Sequence, residues 1–578
     1  MTQVYTNIIP KKQTREAQLN ALKILDAALT NSYGPNGSTT AIRKKNDVAR
    51  YTKDGHTILC DIKFNKPIEQ TMRDDLRDIT VRIVSTIGDG TTSAIKASYL
   101  IFDALKTAHE KYGISELELV KQFKKAIEKA IKIIDSNKKE TTVDDIYKIA
   151  MISTNGNEEV AQNLSDIYKE NGMEVFIDVG ISNSPNNVKK VYDGFTIEEG
   201  YCDPAFINNT ERKVASIRGA NIYVFEDPID TPEMSVFLDK IMYDNIFADK
   251  TNIVPTVIFC PKISVDMNAM MDNIVTQLTN IKPMMRPPLL VIPNIFDGDV
   301  LSDLAIISGA KPIKKYIDPT LQQMDIDNGL AATPDTVHNF AGYADLVEAD
   351  NLKTKIINPK LMFNEDGEKS DTYNGLIDGL QMMLEKYEEA KEDIVKVGTL
   401  KRRINSLKAN MVDYLVGGIS MNDRDALRDL VEDAVLNCRS AAKDGTGFGA
   451  NFEAFRAFNE LEKLEMESLS EEEHTKIQNE EAFSIYTTLN KVYLELVSSL
   501  YFIHCGEDKT QSILTALECL ANGCPLNIRT EKFDNTVLST IKSDQVILDA
   551  ISKIIGLVIS TNQYLCEAPE YNVYIDPE

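Results

Sequence analysis

The order in which helical and strand-rich segments follow one another constrains the fold of this chain more than any other feature. Residues 1–136 and 411–578 have mainly helical patterns of apolar residues. Between about 174 and 375, short β-rich runs starting near residues 174, 222, 256 and 289 alternate with helical patterns, which is typical of an α/β domain. We therefore predict a multidomain α and α/β protein. Two arrangements remain open: a discontinuous helical domain with an inserted α/β domain, or three consecutive domains.

The charge balance excludes some classes of partner. The 578 residues include 63 Lys and Arg against 88 Asp and Glu, a formal net charge of −25. Because binding to DNA or RNA without sequence preference needs a basic surface, nucleic acid is not expected as a partner. The N-terminal residues lack the apolar region of a secretory signal, and no stretch of about 20 apolar residues indicates a membrane span. We predict a cytoplasmic protein without a membrane partner.

A glycine-rich segment in the first third of the chain has the chemistry of a phosphate site. Residues 88–93 read GDGTTS and precede a helical run at 94–105. Glycines let the backbone approach an anion, the N–H groups of a helix N-terminus attract phosphate, and Asp89 can hold a magnesium ion that bridges phosphates. The alternative is an ordinary capped helix after a turn. No Walker A, GxGxxG, HExxH or GxSxG motif occurs, so the common hydrolase, dehydrogenase and zinc-protease classes lose support.

The segment before this turn has a different pattern. Residues 48–62 alternate roughly between apolar and polar, and Asp54 with Gly55 forms a turn sequence. This alternation predicts a β-hairpin between the glycine-rich breaks at 34–37 and 88–90.

Several motifs in a fixed order resemble those of the chaperonin family, and in particular of its bacterial GroEL-type branch (group I). The similar segments are SYGPNG at 32–37, TKDG at 52–55, GDGTT at 88–92, ISTN at 152–155, GYCDPAFIN at 200–208, VEDA at 431–434 and GLVIST at 556–561. The resemblance covers nearly the whole chain, and the ordered set is specific where one motif alone is not.

The resemblance implies a chaperonin subunit with three parts. A discontinuous helical equatorial domain binds nucleotide, a small intermediate domain acts as a hinge, and an α/β apical domain binds substrate polypeptides. The domain boundaries predicted on this basis are 1–136 (equatorial), 137–193 (intermediate), 194–409 (apical), 410–443 (intermediate) and 444–578 (equatorial).

The family's functional residues carry over to the matching positions. Asp433 and Asp54 would be catalytic, because they would position and polarise the attacking water, and Asp89 would bind Mg²⁺. The predicted nucleotide-binding residues are Ser32, Tyr33, Gly34, Pro35, Lys53, Asp89, Gly90, Thr91, Thr92, Ser93, Ile152, Gly449 and Asn527. The implied cofactors are ATP, Mg²⁺ and K⁺. Without the resemblance, Asp433 would be interpreted as a solvated residue of an amphipathic helix.

The sequence departs from the family where the adenosine would bind. The family's PGGG loop reads FGAN at 448–451, and the aspartate of its ILDP motif falls on or near Ser539. Recognition of the ribose or the adenine is therefore expected to differ, whereas the phosphate-binding motifs are intact. Two other departures, an apical segment longer than the family norm around 244–254 and 325–370 and an end without the family's Gly-Met-rich tail, suggest a divergent, virus-encoded ring.

Apical domains of the family bind clients through exposed apolar residues. Tyr201 and Phe206 match two such positions, and apical helices are predicted at 232–243 and 265–278. The predicted client-binding residues are Tyr201, Phe206, Phe237, Leu238, Met267, Met271 and Ile274. The alternative is that these apolar stripes belong to the core, since amphipathic helices usually bury one face.

The sequence thus predicts an ATP-hydrolysing chaperonin that binds non-native polypeptides in a homo-oligomeric ring and promotes their folding through ATP-driven domain movements. The alternative is a chaperonin-like scaffolding ring that binds nucleotide with little turnover, which Ser539 and the altered loop at 448–451 support. The resemblance leaves open whether a co-chaperonin lid is used.

Overall fold

A computed structural model shows a chain that forms two compact units. The helical unit comprises Met1–Met173, Ile181–Asn187 and Val416–Glu578, and the α/β unit comprises Glu174–Gly180 and Val188–Leu415. The structure describes residues 6–34, 37–43, 50–182, 184–197, 199–210, 213–249, 253–263, 275–276, 278–364, 368–390, 396–397, 399–400, 403–404, 407, 410–418, 421–506, 508–561 and 563–567. The predicted site residues outside these ranges are Pro35, Met267, Met271 and Ile274.

Helices, numbered here along the whole chain, dominate the helical unit. Its described helices are α1 (Lys11–Leu29), α2 (Gly55–Asp61), α3 (Pro67–Ile87), α4 (Thr91–Tyr112), α5 (Glu116–Ser136), α6 (Val143–Ser153), α7 (Glu158–Asn171), α12 (Met421–Asp444), α13 (Phe452–Ser468), α14 (Glu471–Gln478), α15 (Ile485–His504), α16 (Lys509–Asn522) and α17 (Lys542–Ser560). Its short strands are β1 (Thr6–Pro10), β2 (Thr40–Ile42), β3 (Arg50–Thr52), β12 (Thr446–Phe448), β13 (Leu526–Asn527), β14 (Lys532–Phe533), β15 (Leu538–Thr540) and β16 (Gln563–Glu567).

Both ends of the chain lie in the helical unit, so the discontinuous arrangement is the one observed. β1 pairs antiparallel with β16, and Ile8 lies opposite Leu565. The core combines helices from the two ends of the sequence, among them α4, α5, α13, α15 and α17. The finer division into equatorial and intermediate segments stays a prediction.

Helix α5 shows how local sequence produces this unit. The Ser115 side chain accepts a hydrogen bond from the main-chain N–H of Glu118 and so caps the helix. Phe123, Ile127 and Ile134 are buried along one face, as their spacing predicts. Burial of each such side chain contributes about 1.5–3 kcal/mol.

The predicted hairpin at 48–62 is wrong. β3 pairs instead with β2, and the residues after it form α2. The cause is the side chain of Asp54, which accepts hydrogen bonds from the N–H groups of His56 and Thr57 and thereby starts a helix where the alternation suggested a strand.

A mixed sheet of eight strands is the centre of the α/β unit, in the order β4-β11-β5-β10-β9-β6-β7-β8. Its strands are β4 (Phe176–Ile181), β5 (Val188–Ile197), β6 (Ala215–Val224), β7 (Thr256–Phe259), β8 (Leu289–Ile292), β9 (Gly342–Ala349), β10 (Thr354–Pro359) and β11 (Asn410–Val416), and its described helices are α8 (Pro232–Met242), α9 (Gly298–Ser308), α10 (Pro319–Asp327) and α11 (Asp371–Ala390). β6, β7 and β8 run parallel, whereas the pairs that β9 and β10 form are antiparallel. β7 and β8 are buried along their whole length, which explains why they read as uninterrupted apolar runs.

The four predicted β-rich runs thus correspond to β4, β6, β7 and β8. Among the described parts of the chain, no helix combines the length and the apolar character needed to cross a membrane.

Candidate functional site

A cleft in the helical unit brings together the residues that the sequence singled out. Its volume is about 1190 Å³, and segments far apart in the sequence form its walls. The predicted residues that line it are Ser32, Tyr33, Gly34, Lys53, Asp54, Asp89, Gly90, Thr91, Thr92, Ser93, Ile152, Asp433, Gly449 and Asn527. Every predicted catalytic and nucleotide-binding residue that the structure describes therefore lines one cavity.

The turn between α3 and α4 presents a helix N-terminus to this cleft. Gly88 and Gly90 have φ angles of 76° and 92°, left-handed conformations that glycine adopts without strain. Gly90 is the N-cap of α4, and no side chain caps the helix there. The N–H groups of the first turn of α4 are therefore available to an anion. Asp89, between the two glycines, accepts a hydrogen bond of 2.6 Å from the N–H of Gly90.

Two glycines, which have no side chain, allow other segments to pack closely against this turn. A Cβ on Gly88 would lie 2.9 Å from the main-chain oxygen of Asp433, so α12 packs directly against the turn. A Cβ on Gly55 would lie 2.5 Å from Thr92 Oγ1, so the start of α2 contacts the start of α4. These two glycines bring Asp54 and Asp433 to the N-terminus of α4.

The carboxylates at this point repel one another. Burial raises the pKa of Asp433 well above its ordinary value, and repulsion from Asp89 and Asp54 adds to the effect. Loss of hydration inside the cleft also raises the pKa of Asp89, and repulsion from Asp54 adds to this effect. The Asp89 side chain itself is exposed to the cleft. Asp54 is held in place by the N–H groups of His56 and Thr57, at 3.1 and 2.8 Å. A bound cation would relieve this repulsion.

The protein alone does not complete a metal site here. Within the described ranges, no group of three or more His, Cys, Asp and Glu side chains is arranged to hold a metal ion. A cation beside Asp89 would need further oxygen ligands from water or from a bound molecule. This is how Mg²⁺ is usually held beside phosphates, by one or two carboxylates together with phosphate oxygens.

Two predicted residues have side chains engaged within the protein. Tyr33 is fully buried, and its hydroxyl donates to the main-chain oxygen of Leu496 at 3.2 Å. Its phenol is therefore engaged inside the protein, the main-chain oxygen of Tyr33 contacts His504 Nε2, and the part of Tyr33 in nucleotide binding stays a prediction. Asn527 donates to Thr536 Oγ1 at 2.7 Å and accepts from the N–H of Arg529 at 3.0 Å, which leaves it shaping the loop around it.

Asn437, Asn451 and Asp544 also line the cleft, and sequence reasoning missed them. Asn437 follows Asp433 by one helical turn, so helical periodicity could have found it. Its side chain donates to Ser153 Oγ at 2.9 Å and so ties α12 to α6. Asn451 and Asp544 act through partners distant in sequence, and no local pattern points to them.

The predicted apolar capture face is largely internal. Three of the predicted client-binding residues are buried in the core of the α/β unit: Phe206, Phe237 and Leu238. The prediction that these three form an exposed client-binding surface is therefore wrong, and the alternative that the stripe of α8 belongs to the core is correct. Tyr201 is partly buried against the same core. Met284 and Met285 are among the exposed apolar residues of this unit, at 90% and 74%.

The fold described above is similar to that of solved chaperonin subunits. Two crystal structures of the chaperonin gp146 from the bacteriophage EL 2 (Pseudomonas aeruginosa), both obtained in the presence of ATP-BeFx, share this fold. One has a TM-score of 0.73 at 16% identity and covers 96% of this chain and 98% of that chain. The other has a TM-score of 0.65 at 16% identity, with coverage of 97% and 99%.

Part of the sequence also matches a model of the chaperonin family. The model of the TCP-1/cpn60 chaperonin family matches residues 25–254, which include the turn at 88–93. The predicted fold class and the predicted resemblance to the chaperonins are therefore confirmed. The similarity to a phage chaperonin supports the prediction of a divergent, virus-type member.

Proposed function

We propose that this chain is the subunit of a cytoplasmic, homo-oligomeric chaperonin ring that hydrolyses ATP, captures non-native polypeptides and promotes their folding through ATP-driven domain movements. The observation that carries this proposal is the convergence of Asp89 and Asp433 at the uncapped N-terminus of α4. Such a site combines an anion-binding helix end, a ligand for Mg²⁺ and a group that can take a proton. These are the parts that phosphoryl transfer requires.

The phosphate chain would bind at the start of α4. The N–H groups of its first turn and the hydroxyls of Thr91 and Thr92 would hold phosphate oxygens, and the exposed ammonium of Lys53 would add positive charge. Ser32 Oγ lies 3.5 Å from Thr92 Oγ1. Oxygen atoms of the segment around Ser32 would then hold K⁺ beside the phosphates.

Asp89 would hold Mg²⁺, and the residues present fit this ion. Its carboxylate supplies the hard oxygen ligand that Mg²⁺ prefers, and a divalent cation would remove the repulsion that raises the pKa of Asp89 and Asp433. When bound, Mg²⁺ neutralises charge on the phosphate oxygens.

Asp433 would accept the proton of the attacking water, and Asp54 would orient that water. The elevated pKa of Asp433 makes its carboxylate a stronger proton acceptor than that of an ordinary aspartate. The carboxylate of Asp54 is immobilised by two main-chain N–H groups. The main chain of Asp433 packs against Gly88. The carboxylate of Asp433 is therefore held at a fixed position relative to the turn at 88–90.

ATP hydrolysis by the purified chain tests the proposal. Since a general base contributes roughly 10²–10⁴-fold, Asp433→Asn should lower kcat by about that factor while ATP still binds. Asp89→Ala should lose Mg²⁺-dependent binding. Asp444→Asn changes the last residue of the same helix, outside the cleft, and should hydrolyse ATP like the wild type.

The outcomes separate the two functions that the sequence leaves open. Normal hydrolysis by Asp433→Asn would contradict the role of this residue. A wild type that binds ATP but does not hydrolyse it would favour the scaffolding ring. Electron microscopy would show whether rings form, and refolding of a denatured client with and without ATP would test chaperone activity.

A further inference from the structure

Asn451 does not play the role that its position suggests. It is the N-cap of α13, yet its side chain makes no capping hydrogen bond. Its Nδ2 donates instead to Tyr33 Oη at 3.1 Å and to Ser93 Oγ at 3.2 Å. Asn451 is 6% exposed and Tyr33 is 2% exposed, so this end of the amide bridge is shielded from water, whereas Ser93 is partly exposed in the cleft. A buried polar group of this kind is costly to displace, and the bridge therefore fixes the geometry of the groups that it joins.

The amide bridge connects segments on different sides of the cleft. Tyr33 belongs to the loop at 32–34, and Ser93 is the third residue of α4, whose N-terminus is the anion site. Asn451 belongs to the loop at 449–451, which lines the cleft where the sequence departs from the family's glycine-rich loop. One side chain thus sets the spacing between the altered loop and the anion-binding turn.

A distant residue frees Asn451 for this task. Asp544 of α17 accepts a hydrogen bond of 2.9 Å from the main-chain N–H of Ala454. Ala454 is the third residue of α13, the position whose N–H a local N-cap side chain would normally satisfy. The backbone of Asn451 is left-handed, with a φ of 59°, which asparagine tolerates better than most residues.

We propose that Asn451 is a positioning residue for nucleotide binding: it holds the loop at 449–451 at a fixed distance from the phosphate-binding turn. This inference rests on the proposed function. A cleft held in this way is organised before the ligand arrives, so both ends of one nucleotide fit without reordering the loop. Removing the amide bridge should weaken the binding of a ligand that spans both ends of the cleft. It should not affect the binding of a ligand that occupies only the phosphate end.

The test compares MgATP with Mg-tripolyphosphate, which lacks the nucleoside, by titration calorimetry on the full-length protein. Asn451→Gly keeps the left-handed backbone unstrained and removes only the side chain. We expect Asn451→Gly to weaken the binding of MgATP about tenfold, which corresponds to the loss of about one net hydrogen bond. The affinity for Mg-tripolyphosphate should change less than about twofold. In steady-state hydrolysis KM should rise by a similar factor, while kcat changes little.

Two further variants complete the experiment. Asn294→Gly makes the same change at another left-handed asparagine, φ 71°, in the α/β unit and outside the cleft, and should bind both ligands like the wild type. Tyr33→Phe removes one acceptor of the amide bridge and leaves both Asn451 and the cleft residue Ser93 intact. It should reproduce the selective loss, and it carries the test if Asn451→Gly fails to fold.

Unchanged MgATP affinity, or equal weakening of the two ligands, would overturn the role of Asn451. These results would leave the proposed function standing, because the wild type still binds ATP. A wild type that binds neither ligand would overturn the proposed function and this inference together.

Discussion

At the scale of single residues, left-handed backbone without glycine occurs in the loop at 448–451, whose sequence differs from the glycine-rich loop of the chaperonins. Ala450 and Asn451 both have a φ of 59°, in the loop that lines the cleft. A left-handed conformation costs a residue with a Cβ about 1–2 kcal/mol, less for asparagine. The backbone at Ala450 therefore has a conformation that suits glycine better than alanine.

Ala450→Gly should stabilise the protein by about 0.5–1 kcal/mol. Relief of about 1–2 kcal/mol of strain exceeds the roughly 0.4–1 kcal/mol that glycine's freedom in the unfolded chain costs. Urea unfolding measures the difference. Ala28→Gly, at an exposed position inside α1, is the control and should instead lower the free energy of unfolding by about 1 kcal/mol. If both variants are destabilised equally, Ala450 is not strained.

Asp544 should give the protein a pH-dependent stability. Burial raises its pKa from 3.8 to about 7 in the folded state, even though it accepts a hydrogen bond from Ala454. The folded protein thus holds a proton that the unfolded chain releases, and stability is lost as the pH rises from about 4 to about 7. Asp544→Asn keeps an acceptor for Ala454 without this loss, so its advantage over the wild type should grow by up to about 4 kcal/mol across that range.

Urea midpoints of the wild type and of Asp544→Asn at pH 5, 6, 7 and 8 test this expectation. Other titrating groups are common to both proteins and cancel in the difference. A difference that does not change with pH would show that Asp544 is ionised in the folded protein at every pH tested.

At the scale of elements, the helices that meet around the cleft differ in how their N-termini are capped. Asp54 caps α2, and Asp544 caps α13 from a distant helix. The N-cap of α4 is Gly90, which offers no side chain. Helices α2 and α12 pack close to α4 through Gly55 and Gly88, so the uncapped end is surrounded by carboxylates and not by competing capping groups.

Gly88→Ala should lower ATP hydrolysis at least tenfold by moving α12 away from the phosphate turn. Its Cβ would meet the main chain of Asp433 and the side chain of Leu436, both at 2.9 Å. Gly113→Ala is the matched control, because Gly113 has a similar φ of 67° at the other end of α4 but no atom within 4 Å of its Cβ. Both variants carry the same backbone strain, so equal loss of activity would mean that strain, and not the position of Asp433, is responsible.

At the scale of the whole molecule, the sequence predicts the order and type of the elements better than which side chains are exposed. The helical flanks and the β-rich runs are found because their periodicity reflects burial. The predicted hairpin at 48–62 is wrong because the helix cap formed by Asp54 overrides a weak alternation of apolar and polar residues.

Most cleft residues could be predicted because their motifs occur in the same order as in the chaperonins. The contacts of Asn451 and Asp544 could not be predicted, because they join segments that no local pattern connects. An amphipathic stripe is equally compatible with core and capture surface, so the burial of Phe206 and Leu238 could not be predicted.

If the chain captures clients as proposed, the exposed methionines of the α/β unit would offer a surface in place of those buried residues. Met284 and Met285 form a short turn just before β8. The neighbouring Arg286 donates to the main-chain oxygen of Ile207 at 2.7 Å, which fixes this turn beside the segment that carries Tyr201. Flexible thioethers on an anchored turn can adapt to clients of varied sequence.

Replacing Met284 and Met285 together by serine should therefore weaken capture of a denatured client severalfold, measured as suppression of client aggregation. The assembly and the rate of ATP hydrolysis should not change, because the change removes exposed apolar surface and leaves the cleft intact. Met382 and Met383 of α11 are a matched pair, exposed by 72% and 51% in the same unit, and their replacement by serine should leave capture unaffected. If both double variants lose capture equally, clients bind exposed apolar surface in general; if neither does, capture depends on Tyr201 or on other residues of the unit.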